Sequence, residues 1–441
     1  MTSTNVLPDV STVFEIPGFL PQFVAGNRTR AIACGLDPYE YDRVTATDLD
    51  TLAEWPAAFR RVGEAYSRVG ERRAASGHQV SAGEAFRTAA RWLHCATFPP
   101  AADHTGTIVA ARAADAAMRR AFGYLDPGAV RIEGEGFAGW LRRPVDAALP
   151  PRVVVVAPGL NSGKEEFQAV DEALLRRGLG VFSFDGPGQG VLVDTAPRAD
   201  YHRVVSRVID ALDARADLDT RGGVGLIGLS LGGFYALLTA AHEPRVAAVV
   251  AVSGPYRLDW PELPLFVRET LTVRTGSPAA AKEFTRHVDL TGIADRIHAP
   301  LRVVEGGEDI TPGVLPAAHV THDAPEAEIL LIPHGDHLLC NAQAAWLPDT
   351  SDWLTDRLGQ VAGRGRGQHG VALDGHPEQR DQVLRHGHPR PRRAIRPIRP
   401  TVGTGLAGSS ETDPIVPPES TKASIPTNHP LELGREHARR V

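Results

Sequence analysis

The feature that most constrains the fold is a series of six short apolar runs between about residues 130 and 358. The runs are RVVVVAPG, GVFSFDG, VGLIGLS, VAAVVAVSG, LRVVEGG and AEILLIPHG, and segments with helical character, such as YHRVVSRVIDALDARA, lie between them. Continuous apolar strands that alternate with helices are typical of a parallel sheet covered on both faces. The sequence therefore predicts an α/β fold in which the carboxyl ends of the strands share one edge, where a functional site would lie.

The stretch from about 48 to 125 has few strand signals, and its apolar and charged residues recur at helical spacing. A first helical pattern ends at Gly77. A second starts at Ser81, with Glu84 three residues later, which is the pattern of a capping box. An alanine-rich third helix follows, so this part of the chain is predicted to be a small helical unit.

These differences in residue pattern along the chain predict the domain organisation. We expect an N-terminal helical cap region over 1–130 and a catalytic domain over 131–358, with a lid insertion at about 254–298. The last segment, 359–441, is rich in Gly, Pro, Arg and Ser without periodicity, which is typical of disorder.

Composition and charge exclude several classes of function. The net charge is −6, with 53 acidic and 47 basic residues, which disfavours nucleic acid as a partner. No apolar run approaches the roughly 20 residues that cross a bilayer, so we expect no membrane partner. Three widely spaced cysteines, Cys34, Cys95 and Cys340, provide neither a disulfide framework nor a zinc site, which favours a cytoplasmic location.

The stretch FDGPGQGV, residues 184–191, places three glycines at alternate positions directly behind a predicted strand. It lacks the Lys and Ser/Thr of a phosphate-binding loop, and its glycine spacing differs from that of dinucleotide-binding sequences. We therefore interpret it as a turn beside the active site, with Gly188 and Gly190 in unusual backbone conformations. We expect no cofactor and no metal.

The strongest catalytic signal is GLSLG, in which Ser230 lies between the predicted strand VGLIGL and the predicted helix GGFYALLTAA. A sharp turn between strand and helix lifts a serine hydroxyl out of the sheet edge, and the small flanking residues let strand and helix approach closely. The helix N-terminus and the N–H of Leu231 could stabilise an oxyanion. Ser230 is therefore the candidate nucleophile.

A nucleophilic serine needs a base and an acid to orient the base, and in this fold the acid and then the histidine follow the serine along the chain. LRVVEGGEDITPG offers Glu305, Glu308 and Asp309 after a strand. Asp309 is favoured because it follows the strand end after two glycines, with Glu308 as the alternative. The motif HGDH offers His334 and His337, of which His337 is favoured as the base.

The second oxyanion donor is expected in the loop of VVVVAPGLNSGKEEF. Gly159 would let the backbone turn so that the N–H of Leu160 points at the oxyanion. Lys164 and Glu165 in the same loop either contact the substrate or are solvated charges at the start of a helix, and the second reading is favoured.

Taken together, GLNSGKEEF, FDGPGQG, GLSLGG and HGDH behind a helical N-terminus resemble the α/β-hydrolase superfamily. They resemble in particular the branch of the dihydroxypseudooxynicotine hydrolases and the fungal pigment-pathway hydrolases that shorten polyketides. The resemblance spans about residues 15–358. It implies a triad of Ser230, Asp309 and His337, hydrolysis of a C–C bond next to a ketone, a helical N-terminus packed over the site, and a homodimer.

The same branch suggests an auxiliary acid after the strand that follows the nucleophile. Glu262 matches best in spacing, with Asp259 as its neighbour, and a solvated lid carboxylate is the other reading. The lid aromatics Tyr256, Trp260 and Phe266 either line a pocket or, more commonly, pack in the core.

The functional hypothesis is a serine-dependent hydrolase that cleaves a small carbonyl substrate, such as a 1,3-dicarbonyl or an aryl ketone, through an acyl-enzyme. One alternative is an esterase or thioesterase of secondary metabolism, which would use the same triad. The other is a catalytically silent protein that binds a small molecule.

Overall fold

A computed structural model describes most of the chain up to residue 364. The described residues are 12–100, 104–145, 147, 149–324 and 326–364, with side chains up to residue 359. The last helix continues to Arg364, six residues into the predicted tail. The rest of that tail, 365–441, lies outside the described residues.

Ten strands are described. They are β1 Val130–Gly134, β2 Phe137–Arg142, β3 Val153–Ala157, β4 Gly180–Asp185, β5 Val224–Leu229, β6 Val246–Val252, β7 Pro255–Leu258, β8 Leu301–Gly306, β9 Val314–Pro316 and β10 Glu328–Ile332. Eight of them form one sheet in the order β1-β2-β4-β3-β5-β6-β8-β10, and β7 pairs with β9. The six runs predicted from the sequence are the six parallel strands of this sheet, whereas β1 and β2 are antiparallel additions at one edge.

Eleven α-helices are described. They are α1 Phe19–Cys34, α2 Pro38–Thr47, α3 Trp55–Ala75, α4 Gln79–Cys95, α5 His104–Leu125, α6 Gln168–Leu175, α7 His202–Asp213, α8 Leu231–Ala240, α9 Leu265–Thr275, α10 Pro278–Arg286 and α11 Gln343–Arg364. Within the described residues no helix is both long enough and apolar enough to span a membrane.

The sheet is buried on both faces, as its apolar strands predict. Along β3, Val153 and Val155 belong to the core that α7 and α8 cover, while Val154 and Val156 belong to the core that α6 and α11 cover. Because side chains alternate between the two faces of a strand, a strand needs apolar residues at every position to be buried on both. The predicted α/β fold is confirmed.

The N-terminal helices form their own aromatic core, in which the rings of Trp55 and Phe59 stack with centroids 4.0 Å apart. The predicted capping box at Ser81 is wrong: α4 begins at Gln79, and Ser81 lies inside its first turn. A capping box does occur earlier, between Thr51 and Glu54. Glu54 fits the same S/T-x-x-E/Q pattern, and its carboxylate accepts from the Thr51 N–H at 2.9 Å.

The helices α1 and α2 lie within the helical cap region predicted for 1–130, but no pattern before residue 48 predicted them individually. The apolar residues of α1 are spread around the whole helix, although its three buried residues, Phe23, Ala31 and Cys34, lie on one side. The sequence of α1 therefore carries no amphipathic pattern from which the helix could be predicted.

Candidate active site

Ser230 lies on a sharp turn between β5 and α8. Its backbone adopts φ 56° and ψ −128°, a conformation that a non-glycine residue adopts only when the surrounding structure enforces it. Both flanking glycines are needed for close approach. A Cβ on Gly228 would lie 1.9 Å from the carbonyl oxygen of Gly232, and a Cβ on Gly232 would lie 2.2 Å from that of Ala157. The motif therefore serves to bring strand and helix together around the serine.

The structure brings Ser230, His337 and Asp309 into one chain of contacts. His337 Nε2 lies 3.0 Å from Ser230 Oγ, and His337 Nδ1 lies 2.9 and 3.1 Å from the two carboxylate oxygens of Asp309. Asp309 is largely shielded from solvent, and His337 is half exposed. The competing candidates Glu308 and His334 are both exposed and take no part in these contacts.

The loop that carries His337 has an unusual backbone. Leu338 and Leu339 have φ of 67° and 49°, in the left-handed region that branched residues avoid. The N–H of Leu338 donates to Ser253 Oγ at 3.0 Å, and Ser253 follows β6 with φ 49°. Strained backbone of this kind is held by its surroundings and clusters at functional sites, where it orients a side chain.

The two predicted oxyanion residues, Leu160 and Leu231, both line the cavity that contains Ser230. Leu231 is the first residue of α8, and first-turn amides have no acceptor within their own helix. Gly159 lies against the nucleophile, since a Cβ on it would be 2.9 Å from Ser230 Cβ. Two backbone segments with amide donors therefore flank the serine hydroxyl.

The loop FDGPGQGV holds the backbone of the segment between β3 and α6, residues 158–167, which carries Leu160 and which we call the oxyanion loop. Gln189 Nε2 donates to the carbonyl oxygens of Pro158 and Gly159 at 2.7 and 3.0 Å. Its side-chain oxygen accepts from the Gly186 N–H and from the Tyr201 hydroxyl. The motif thus fixes the backbone beside the nucleophile.

Gly188 and Gly190 have the positive φ predicted for them, 84° and 41°. At Gly190 a Cβ would lie 2.0 Å from the buried carboxylate of Asp185. That carboxylate accepts from the N–H of Val191 at 3.0 Å. A side chain at position 190 would therefore displace the carboxylate around which the loop folds.

The interpretation of Lys164 and Glu165 as solvated charges is wrong, because both side chains are almost completely buried. Lys164 Nζ lies 2.6 to 2.9 Å from carboxylate oxygens of Asp185, Glu165 and Asp115, the last of which belongs to α5. A buried cation needs such partners to offset its desolvation. These two residues join the oxyanion loop to the helical region and do not face the cavity.

The cavity around Ser230 has a volume of about 610 Å³, within the range of sites for small organic ligands. Its apolar wall comes partly from α1, with Phe19 and Phe23, and partly from the lid segment, with Leu258, Phe266 and Leu271. The catalytic groups lie at the sheet edge opposite these walls.

The predicted auxiliary acid Glu262 is not brought to this cavity. It ends a short 3-10 helix, Trp260–Glu262, with its side chain exposed, and Asp259 is exposed as well. Of the three lid aromatics only Phe266 lines the cavity. Tyr256 is buried, and its hydroxyl donates to Asp323.

Sequence reasoning missed Arg30, which joins α1 to the oxyanion loop. Its guanidinium forms a bidentate pair with Glu166 at 2.6 and 2.8 Å and donates to the Asn161 carbonyl at 3.2 Å and to Ser162 Oγ at 3.0 Å. His94 lies 2.9 Å from Glu166 on its other side. Burial opposes ionisation of Glu166, but Arg30 and His94 outweigh it and lower the pKa of that carboxyl.

A second contact from α1 reaches the histidine loop. Thr29 Oγ1 donates to Asp336 Oδ2 at 2.6 Å, and Asp336 directly precedes His337. No local sequence pattern relates residues 29 and 30 to positions beyond 130. These two contacts are therefore evident only in the tertiary structure.

Glu305 also lines the cavity, although sequence reasoning mentioned it only as a strand-end acid. Its side chain is 7% exposed, and burial raises its pKa to about 7, with the nearby Asp309 acting in the same direction. Within the described residues no group of three or more His, Cys, Asp or Glu side chains is arranged to hold a metal ion.

Comparison with known proteins agrees with this fold. Residues 152–292 match the family model for the alpha/beta hydrolase fold. The chain is 29% identical over 347 residues to the 2,6-dihydropseudooxynicotine hydrolase of Paenarthrobacter nicotinovorans, covering 75% of this chain and 91% of that protein. It is 30% identical over 234 residues to a 20-hydroxy-prefusarin hydrolase of Gibberella moniliformis, covering 46% and 52% of the two chains.

A solved structure extends the likeness beyond the sheet. The crystal structure of the 2,6-dihydroxy-pseudo-oxynicotine hydrolase superimposes with a TM-score of 0.66 at 28% identity. The match covers 76% of this chain and 96% of the other, so it includes the N-terminal helices as well as the sheet.

Proposed function

We propose that this chain is a serine-dependent hydrolase of the α/β-hydrolase superfamily that cleaves a C–C bond adjacent to a ketone. The observation that carries the proposal is the set of distances among Ser230, His337 and Asp309 at the edge of a cavity of about 610 Å³. The likeness to a pseudooxynicotine hydrolase over 91% of its length supports the substrate class, a small ketone.

The first half of the reaction forms an acyl-enzyme. His337 Nε2 takes the proton of Ser230 Oγ, which attacks the substrate carbonyl, while Asp309 stabilises the imidazolium and holds its orientation. The amides of Leu160 and Leu231 hold the oxyanion. Removal of one such donor typically lowers kcat by about a hundredfold or more.

The tetrahedral adduct then collapses: its C–C bond breaks, and the leaving carbon keeps the electron pair of that bond as a carbanion. Such a leaving group departs only if its charge is delocalised, as in an enolate or an electron-rich aromatic ring. A proton completes the departure, and water, activated by His337, hydrolyses the acyl-enzyme. A 1,3-dicarbonyl or an electron-rich aryl ketone meets this requirement.

The test compares wild type with Ser230→Ala on a panel of 1,3-diketones and aryl ketones, with p-nitrophenyl esters alongside. We expect ketone cleavage in the wild type and its loss in the variant, and we expect a fluorophosphonate probe to label only the wild type. Rapid ester hydrolysis without cleavage of any ketone would instead identify an esterase or thioesterase. A wild-type protein that the probe does not label would be a non-catalytic binder.

Two further properties belong to the proposal. The resemblance to the pseudooxynicotine hydrolases favours a homodimer, which sedimentation velocity of the full chain would test. A cytoplasmic location is supported by the thiols of Cys34, Cys95 and Cys340, which are all free. Fractionation of cells that express the tagged chain would test it.

A further inference from the structure

We propose that Glu305 is a second proton donor of the active site, and that its carboxyl group protonates the oxygen of the enolate that departs from a 1,3-dicarbonyl substrate. This inference rests on the proposed function and narrows its substrate class. It assigns to Glu305 the role of auxiliary acid that the sequence pattern placed at Glu262.

The position of Glu305 carries the argument. It is the penultimate residue of β8, four positions before Asp309, at the edge where the parallel strands end. Its side chain lines the same cavity as Ser230 and His337 and is almost completely buried. A group in this place can contact a substrate bound to the nucleophile.

The partners of Glu305 leave it available to a substrate. One carboxylate oxygen accepts from the Ala318 N–H at 3.1 Å, and the described residues include no Lys or Arg in an ion pair with it. The other cavity carboxylates are engaged: Asp309 with His337, and Asp336 with Thr29. Glu305 is therefore the carboxyl among these three whose remaining oxygen can face a ligand.

The burial of Glu305 makes its protonated form accessible near neutral pH. Burial raises the pKa of Glu305 to about 7. Asp309 adds to the rise in this pKa, whereas the amides of Ala318 and Ala317 and the side chain of His337 oppose it. Asp336 and Arg30 also line the cavity, and each is already paired. A general acid works best when its pKa lies near the working pH.

The proton transfers balance as follows. The Ser230 proton moves to His337 as the Oγ–C bond forms. When the C–C bond breaks, its electron pair becomes the enolate, and the Glu305 proton goes to the enolate oxygen to give a neutral enol. The proton on His337 then returns to Glu305 through solvent in the cavity. His337, now neutral, activates the water that releases the acid product, and the enol tautomerises to the ketone.

The experiment uses Glu305→Gln, Glu305→Leu and the matched control Glu308→Gln, an exposed glutamate three residues away. A glutamine keeps the acceptor for the Ala318 N–H but cannot transfer a proton, so it separates acid catalysis from structure. Each variant is assayed on a 1,3-diketone and on a p-nitrophenyl ester, whose stable phenolate leaves without protonation.

We expect Glu305→Gln to lower kcat on the diketone by about a hundredfold or more, the typical contribution of a general acid, and to change ester hydrolysis less than about threefold. Glu305→Leu should match it on the diketone, and Glu308→Gln should resemble wild type on both substrates. The wild-type kcat on the diketone should fall as the pH rises through about 7, and this fall should be absent in Glu305→Gln.

Two results would overturn the inference in distinguishable ways. If wild type cleaves diketones and Glu305→Gln loses activity equally on both substrates, or loses none, Glu305 is not the acid. If wild type hydrolyses the ester but cleaves no diketone, the proposed C–C chemistry itself is wrong and the role of Glu305 is wrong with it.

Discussion

The helical region up to residue 125 and the sheet region from 130 to 364 contribute differently to the same site. The nucleophile, base and acid, Ser230, His337 and Asp309, all follow strands of the sheet. The helical region supplies a cavity wall, with Phe19 and Phe23, and the buried side chain of Arg30, which holds the oxyanion loop. The comparison teaches that chemistry and support are separated: the sheet presents the reacting groups, and the helices enclose and fix them.

The largest effect should come from the sheet region. Asp309→Asn should lower kcat by about ten-thousand-fold, because an asparagine stabilises the wrong tautomer of the histidine that it contacts. The free energy of unfolding should change little, since Asp309 lies at the cavity edge. Steady-state kinetics and chemical denaturation of the same sample check both parts.

Glu308→Gln is the control for that variant, since Glu308 neighbours Asp309 but is exposed. If Glu308→Gln were as inactive as Asp309→Asn, the assignment of the acid would be reversed.

The second-largest effect should come from the helical region, where a substitution should lower the free energy of unfolding. Arg30→Met leaves the buried Glu166 with His94 but without its guanidinium partner, and removing one partner of a buried ion pair typically costs about 3–5 kcal/mol. Urea denaturation measures this loss. Ester hydrolysis should also fall, because the oxyanion loop loses its contacts with α1.

Arg28→Met is a matched control on the same helix, because Arg28 pairs with Asp42 in solvent. Exposed pairs contribute about 0–1 kcal/mol, so this variant should unfold much like wild type. If Arg30→Met and Arg28→Met lowered the free energy of unfolding equally, burial of the Arg30–Glu166 pair would not be what makes it stabilising.

A smaller effect tests the loop that supports the oxyanion segment. Gly190→Ala should lower the stability of the folded protein more than Gly178→Ala does, although both glycines have positive φ. The space around Gly178 is open, so only backbone strain of about 1–2 kcal/mol applies there. At Gly190 the new methyl group also meets the Asp185 carboxylate. Thermal unfolding in parallel ranks the two, and the reverse order would contradict the proposed packing.

The smallest effect is a pH dependence within the sheet region. Hydrogen bonds from Arg245 lower the pKa of Glu243 to about 2, against its usual value near 4.5. A lowered folded-state pKa contributes stability above pH 4.5 that is lost as the pH falls toward 2. The stability difference between wild type and Glu243→Gln should therefore shrink over that range. A difference independent of pH would mean that the ion pair is not its cause.

The parallel strands could be predicted from the sequence because their burial on both faces requires continuous apolar runs. The antiparallel strands β1 and β2 were not predicted. β1, VRIEG, alternates apolar and charged residues, and β2, FAGWLR, is buried at every position but lacks the β-branched residues that mark the parallel strands. The helix α1 was missed because its apolar and polar residues are mixed around the helix, so no amphipathic pattern marks it. Local pattern thus identifies an element only when the residue types along it reflect which positions are buried.

The candidate nucleophile followed from the sequence because GLSLG encodes a local backbone requirement, the close approach of β5 and α8. Asp309 and His337 followed from chain order and strand ends. Glu262 was chosen from the family resemblance and from its spacing, and neither reports which way a lid residue faces. Its side chain is exposed, and Glu305 lines the cavity instead.

By itself, then, the sequence determined the six parallel strands, the serine on the turn after β5 and the residues that follow the strands, because each depends on contacts between near neighbours or on burial of a continuous strand. Only the tertiary structure decided which carboxyl enters the cavity, that Lys164 is buried among acids, and that Arg30 reaches Glu166 across 136 positions. These outcomes depend on desolvation and pairing between segments far apart in the chain, which no local window of sequence contains.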